Sequence, residues 1–213
     1  MSEEVKLYVK AGSDGQSLGD CPFCHKVILS LTVKNVPFEL IFIDLSNKPD
    51  FFTRDINPKG SVPVAVLCSG EVIADSDEII QKSCGAFYDI NEDLHEKCNI
   101  MGAIVEYAKN KNTEAEQSVR DALVEKLVAL NDYLISANTS FLRGDTFGYF
   151  DCKLVPFLNH VRVALHHYKG FEFIADDRYV CLVAYYNRAI ATDIYRRHMY
   201  ADSESIRGFS KFF

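Results

Sequence analysis

The chain has 213 residues, 48% of them hydrophobic and 25% charged, with a formal net charge of −7. That is the balance of an ordinary globular protein, long enough for one large domain or two small ones sharing an interface. The negative charge argues against nucleic acid as the main partner, since phosphate binding needs a basic face. No run is apolar enough to span a bilayer: the most hydrophobic stretch, Val36–Leu45, is broken by Glu39 and Asp44.

The acidic start, MSEEVKLYV, enters a strand at once, with neither a secretory signal nor an Arg-rich transit peptide, and points to the cytosol. Val5, Leu7 and Val9 alternate with Lys6, Tyr8 and Lys10, which predicts a strand with one strongly apolar face. AGSDGQSLGD is a loop by composition. Phe23, Val27, Ile28 and Leu31 then fall at helical spacing, with Lys26, Ser30 and Lys34 on the other side, until Asn35 and Pro37 stop the helix. Phe38–Asp44 reads as a second strand, its continuous apolar run suiting burial on both faces. The helical crossover makes it parallel to the first.

NKPDFFTRDINPKG reads as a short irregular helix closing in a Pro-Lys-Gly turn. Val62–Leu67 forms a third strand, which Ser69-Gly70 turns back into an antiparallel Glu71–Ile73. Pro63 is either a plain edge proline or a cis proline that frees the Val62 backbone for a ligand. Asp75-Ser76-Asp77-Glu78 opens another helix, with Ser76 as its cap. Residues 1–85 thus spell βαβαββα, a thioredoxin-like order. Beyond a linker near 85–92, residues 93–213 are expected to be all-helical, over 94–111, 114–137, 151–168 and 178–198, with Pro156 kinking the third helix near its start.

The seven cysteines, at 21, 24, 68, 84, 98, 152 and 181, are odd in number and lack the dense spacing of a disulfide framework. Cys152 and Cys181 read as core residues; Cys68 and Cys84 stay open. GDCPFC, at 19–24, stands apart because it lies where a strand gives way to a helix. A thiol in the first turn feels the partial positive charge of unpaired amides, which favours thiolate. Cys21 is therefore a candidate nucleophile and Cys24, one turn on, a possible resolving thiol. Pro22 suits the first turn. His25 falls one turn after Cys21, where it either assists proton traffic or is simply an exposed helix residue. His160, His166 and His167 show no metal-ligand spacing and read as a surface stripe; no metal site is expected.

VKAGSDGQSLGDCPFC, DLSNKPDFF, NPKGSVPV and IADSDEII together closely resemble the glutathione-dependent dehydroascorbate reductases of the glutathione transferase superfamily. Omega-class transferases and chloride intracellular channel proteins share parts of the pattern. The resemblance is specific over residues 5–84; LNDYL, FLRGD and VPFLNHVRVALHHYKGF look like the family's helical half. It implies a thioredoxin-like glutathione-binding domain over 1–85 and a helical glutathione-transferase domain over 93–213, an α/β plus all-α fold. It also implies a monomer with no tightly bound cofactor, acting on dehydroascorbate with glutathione as co-substrate.

Residue by residue, Cys21 matches the family's catalytic cysteine, and Lys10 and Asp20 match positions beside the electrophile. Val62-Pro63 matches the segment that pairs with the cysteinyl backbone of glutathione. Asp75 and Ser76 match the γ-glutamyl site, and Lys48 the partner of the glycyl carboxylate. Without the resemblance Lys10 and Lys48 are solvated charges, Asp20 a helix cap, Ser76 a cap and Phe23 a core anchor. An omega-like thioltransferase is the alternative enzyme. A channel-like, membrane-inserting protein is the non-enzyme alternative, disfavoured by Lys26, Lys34 and Glu39 in the corresponding segment. Two departures from the family pattern are Gly148, where Ser or Thr commonly caps a helix ahead of Asp151, and the absence of tryptophan.

Overall fold

The computed structural model describes residues 4–213; Met1–Glu3, the beginning of the acidic N-terminal stretch, lie outside them. The chain divides into two compact units, one running to Asp89 and including Asp193–Glu204, the other made of Ile90–Thr192 and Ser205–Phe213.

The first unit is built on a four-stranded sheet of β1 (Val5–Lys10), β2 (Phe38–Ile43), β3 (Val64–Val66) and β4 (Val72–Ile73), in the order β2-β1-β3-β4. β1 and β2 are parallel, in register from Val5–Phe38 to Lys10–Ile43, and β3 is antiparallel to both β1 and β4. Helix α1 (Pro22–Val33) makes the crossover, and α2 (Ser76–Cys84) follows β4.

Two expectations about this sheet need correction. The apolar run of β2 does not mark a strand buried on both faces: β2 is the edge strand and mostly half-buried. The strand buried on both faces is β1, which is central. Val5, Leu7 and Val9 are buried on one face, and Tyr8 on the other joins Ile43, Phe52 and Val64 under a wide, π-type turn at Phe52–Ile56.

Helix α1 is not amphipathic in the expected way either. Lys26 and Ser30 are buried and Phe23, expected in the core, is 40% exposed. Part of the reason lies far along the chain. Residues 193–204, including the short helix formed by Asp193–Arg196, return to pack on α1. His25, expected on the surface, is fully buried between Tyr195 and Tyr200, with ring centroids 5.0 and 5.4 Å away. Thr32 and His198 share a hydrogen bond of 2.9 Å, and Glu204 accepts hydrogen bonds from the Ser13 amide at 3.0 Å and hydroxyl at 2.5 Å. A helix covered on several sides no longer needs a polar face.

In the second unit helices run over Glu92–Lys97, Met101–Lys109, Glu116–Ala137, Tyr149–His160, His166–Lys169 and Val180–Ile190; a further helix that no periodicity signalled, Asp202–Phe209, begins in the last residues of the first unit and ends in the second. The predicted 94–111 helix is thus two. The leucine stripe of the 116–137 helix is buried as expected. Asn131, on the same helix, accepts hydrogen bonds from the Cys181 and Leu182 amides at 3.0 and 3.1 Å and so caps the last long helix. The 149–160 helix runs unbroken through Pro156, and the irregularity falls later, in a π-type turn at Val161–Leu165. Asp151 supplies one half of a capping box by accepting the Gly148 amide at 2.7 Å. His160 is buried against Phe209, whereas His166 and His167 are exposed. Cys152 is fully buried but Cys181 only partly.

Candidate active site

The sheet topology explains how four separated motifs meet. β1, β2 and β4 all point the same way, and β3 runs against them. The C-terminal ends of β1, β2 and β4 and the N-terminal end of β3 therefore share one edge of the sheet. Lys10 ends β1 there, Lys48 follows β2, Val62-Pro63 precedes β3, and Asp75-Ser76 follows β4. Ligand sites form at this edge of parallel sheets because the loops there are free to vary.

The β1–α1 loop doubles back along the strand it leaves. Ala11 bridges Leu18, Gly12 donates to the Ser17 carbonyl at 2.8 Å, and Gly19 donates to the Lys10 carbonyl at 2.9 Å. A β-carbon at Gly19 would lie 2.5 Å from the Ala11 carbonyl oxygen, so only glycine allows this approach. The return delivers Asp20, which is buried and ion-paired with the half-buried Lys10. Asp20 is not the cap of α1: Cys21 occupies that position with extended backbone angles, and Pro22 begins the helix.

Cys21 is half-buried, Cys24 fully buried, and both are free thiols. A hydrogen bond from the Cys24 thiol holds the Cys21 thiol below its ordinary value, with the amides of Cys24 and Phe23 acting in the same direction. Burial and the Asp20 carboxylate oppose them. Burial, followed by the hydrogen bond to Cys21 and its charge, pushes Cys24 well above the usual thiol range. The pair therefore ionises at Cys21, the nucleophile-and-donor arrangement of a reactive cysteine.

The Val62–Pro63 peptide is cis. The preceding turn is organised by buried Asn57, which sequence reasoning passed over: its side-chain amide donates to the Ser61 carbonyl and hydroxyl at 2.9 and 3.1 Å. Lys48, exposed, passes directly over Gly60, where a β-carbon would lie 2.8 Å from its Nζ. That brings the Lys48 ammonium alongside the turn leading into Val62.

At the start of α2 the cap is Asp75, one residue earlier than expected: its Oδ1 accepts from the amides of Asp77 and Glu78, both at 2.9 Å. Ser76 is the first helical residue and is buried. Because both capping bonds end on Oδ1, the other oxygen of exposed Asp75 keeps its acceptor capacity, suited to an ammonium. The same helix N-terminus suits a carboxylate.

Elsewhere, Cys68 is exposed and Cys84 buried, its thiol pushed up to about 11 by desolvation. The described residues contain no cluster of three His, Cys, Asp or Glu that would hold a metal ion, and no helix long and apolar enough to cross a membrane.

A mixed sheet carrying a cysteine at the start of its crossover helix, followed by helices only, is the architecture of a glutathione transferase. The structure of Chlamydomonas reinhardtii dehydroascorbate reductase superposes over the whole of both chains with a TM-score of 0.83 at 27% identity. The CLIC-like N-terminal domain family matches residues 3–82. Glutathione S-transferase DHAR2 of Arabidopsis thaliana is 36% identical over 183 residues, covering 81% of each chain. The chloroplastic glutathione S-transferase DHAR3 of the same plant is 35% identical over 174 residues, 79% of this chain and 66% of the relative's own length. The chain belongs to the dehydroascorbate reductase family of glutathione transferases.

Proposed function

We propose that this protein reduces dehydroascorbate to ascorbate at the expense of two glutathiones, with Cys21 as the nucleophile. The observation that carries the reading is a part-exposed thiol at a helix N-terminus, favoured as thiolate by the Cys24 donor and set beside the Lys10–Asp20 pair. Family membership supports the same activity.

In the first step Cys21 gives two electrons to dehydroascorbate. Ascorbate leaves, and with one water oxygen the cysteine becomes a sulfenic acid. Lys10 polarises the carbonyl under attack, and Asp20 relays the proton to the departing oxygen. Glutathione then condenses with the sulfenic acid, releasing water and forming a mixed disulfide. A second glutathione thiolate attacks that disulfide, leaves as oxidised glutathione and restores Cys21. The tripeptide lies across Val62, whose backbone pairs with its cysteinyl unit. Asp75 takes the ammonium, the α2 N-terminus at Ser76 the γ-glutamyl carboxylate, and Lys48 the glycyl carboxylate. Cys24 serves mainly as donor; an intramolecular Cys21–Cys24 disulfide is the competing fate of the oxidised state.

A coupled assay with dehydroascorbate and glutathione, following ascorbate absorbance, tests the reading. Turnover is expected for the native chain and none for Cys21→Ser. Substantial activity in Cys21→Ser would overturn the nucleophile, and turnover of a glutathionylated peptide but not of dehydroascorbate would assign an omega-like thioltransferase instead.

A further inference from the structure

Lys26 is 2% exposed, in the second turn of the helix that Cys21 caps. Its Nζ lies 2.9 Å from Oδ1 of Asp77, in the first turn of α2. Burying an ammonium costs several kcal/mol before pairing returns any of it, and an apolar side chain of similar length is commonly as stable in such a place or more so. A purely structural need would therefore be met as well by methionine or leucine.

What an apolar residue would not provide is a directional link between two helices. α1 and α2 pack together, α1 starting at the nucleophile and α2 at Asp75-Ser76. The Asp77 side chain is held by Lys26, and the Asp77 amide donates to the Asp75 carboxylate at 2.9 Å. A chain of two polar contacts through Asp77 thus runs from the body of α1 to the capping carboxylate of α2. It fixes the rotation of the α2 N-terminus relative to the thiol-bearing helix.

We propose that Lys26 is a positioning residue for glutathione: through Asp77 it holds the Asp75-Ser76 end of α2 where the γ-glutamyl group of the tripeptide is received. This rests on glutathione binding at Asp75-Ser76, and the experiment separates the two ideas.

Steady-state kinetics with glutathione varied at saturating dehydroascorbate compare the native enzyme with Lys26→Met, Lys26→Arg and Asp75→Asn. Asp77 is 38% exposed, so the methionine variant leaves its carboxylate in contact with solvent rather than stranded in the core. Lys26→Met is expected to raise KM for glutathione about tenfold, a loss of about 1.4 kcal/mol of binding, with kcat little changed because the γ-glutamyl contact is made alike in the ground and transition states. The pH profile of Cys21 alkylation is expected to stay as in the native enzyme. Lys26→Arg, which can reach the same carboxylate, should restore KM.

If Asp75→Asn raises KM and Lys26→Met does not, the positioning role is wrong. If Lys26→Met raises KM but shifts the alkylation profile as well, α1 itself has loosened and the role is merely structural. If Asp75→Asn leaves KM unchanged, the glutathione site has been misplaced, and the proposal falls with it.

Discussion

Replacing Cys24 with alanine removes the donor that most favours thiolate at Cys21. A hydrogen bond to a charged acceptor contributes about 1.5–3 kcal/mol. A thiol is a weak donor, so the lower end applies, and about 1.4 kcal/mol corresponds to a tenfold fall in thiolate below the titration midpoint. The rate of alkylation falls less than the thiolate population, because a more basic thiolate is intrinsically more nucleophilic. With a Brønsted coefficient of about 0.4–0.5, a tenfold loss of thiolate leaves about a threefold loss of rate. In alkaline solution, where Cys21 is ionised in both proteins, the order inverts and the alanine variant reacts faster. The assay is iodoacetamide labelling across pH, resolved by peptide mass spectrometry because exposed Cys68 also reacts. Cys24→Ser, whose hydroxyl still donates, should track the native protein. Superimposable profiles for native and Cys24→Ala, or a serine variant that behaves like alanine, would refute the donor role.

Burial lifts the Asp151 carboxyl from 3.8 to about 6, against the hydrogen bonds it accepts. The folded state therefore holds a proton that the unfolded state has released. The resulting stabilisation is complete below about pH 4 and lost as pH rises to 6, amounting to about 3 kcal/mol at 1.36 kcal/mol per unit. Urea titrations of native and Asp151→Asn proteins should diverge in slope over that window and run parallel above it. Asp75→Ala should lower stability by about 1 kcal/mol through the lost cap, whereas Asp75→Asn should keep the melting temperature and raise only KM for glutathione. Glu204→Ala removes two bonds that tie down the Ser13 loop, and at about 1.5–3 kcal/mol for contacts to a charged group it should lower the denaturation midpoint. Lys10→Met should impair dehydroascorbate reduction more than release of glutathione from a peptide, as paired rate measurements would show.

The elements that could be read along the chain are those whose cause is local. The alternation of β1, the Gly-rich turn before Cys21, the Pro22 helix start and the Ser69-Gly70 turn each depend on a few adjacent residues. The errors come from contacts between distant residues. Nothing in FELIFI says that β2 lies at the edge, because that depends on β3 and β4 lining up on the opposite side of β1. His25, Lys26 and Ser30 read as a solvent face, because the tyrosines that cover His25 lie some 170 residues further on and the partner of Lys26 is in another helix. The shift of the α2 cap from Ser76 to Asp75 is subtler: in DSDE both side chains can cap, and only the extended backbone at Asp75 decides between them. Within the candidate site, motif identity was legible while geometry was not. Asn57 was missed because its work is to shape a turn, and the signal available was its place ahead of Pro58-Lys59-Gly60.

The two cysteines of the CxxC begin as chemically equal, and their environments make them unequal. A dithiol exchange catalyst resolves its mixed disulfide from within: the second sulfur must ionise and attack the sulfur of the first cysteine. Here Cys24 is sealed in the core and carries the higher proton affinity, while Cys21 stands at the sheet edge where the glutathione-type elements converge. Opening Cys24 to attack would mean ionising it against its burial, the largest cause of its raised proton affinity. A glutathione thiolate arriving from solvent meets no such penalty. In the proposed cycle the same asymmetry directs the resolution of Cys21 outward, to glutathione, with the Lys10–Asp20 pair left to act on the oxidant.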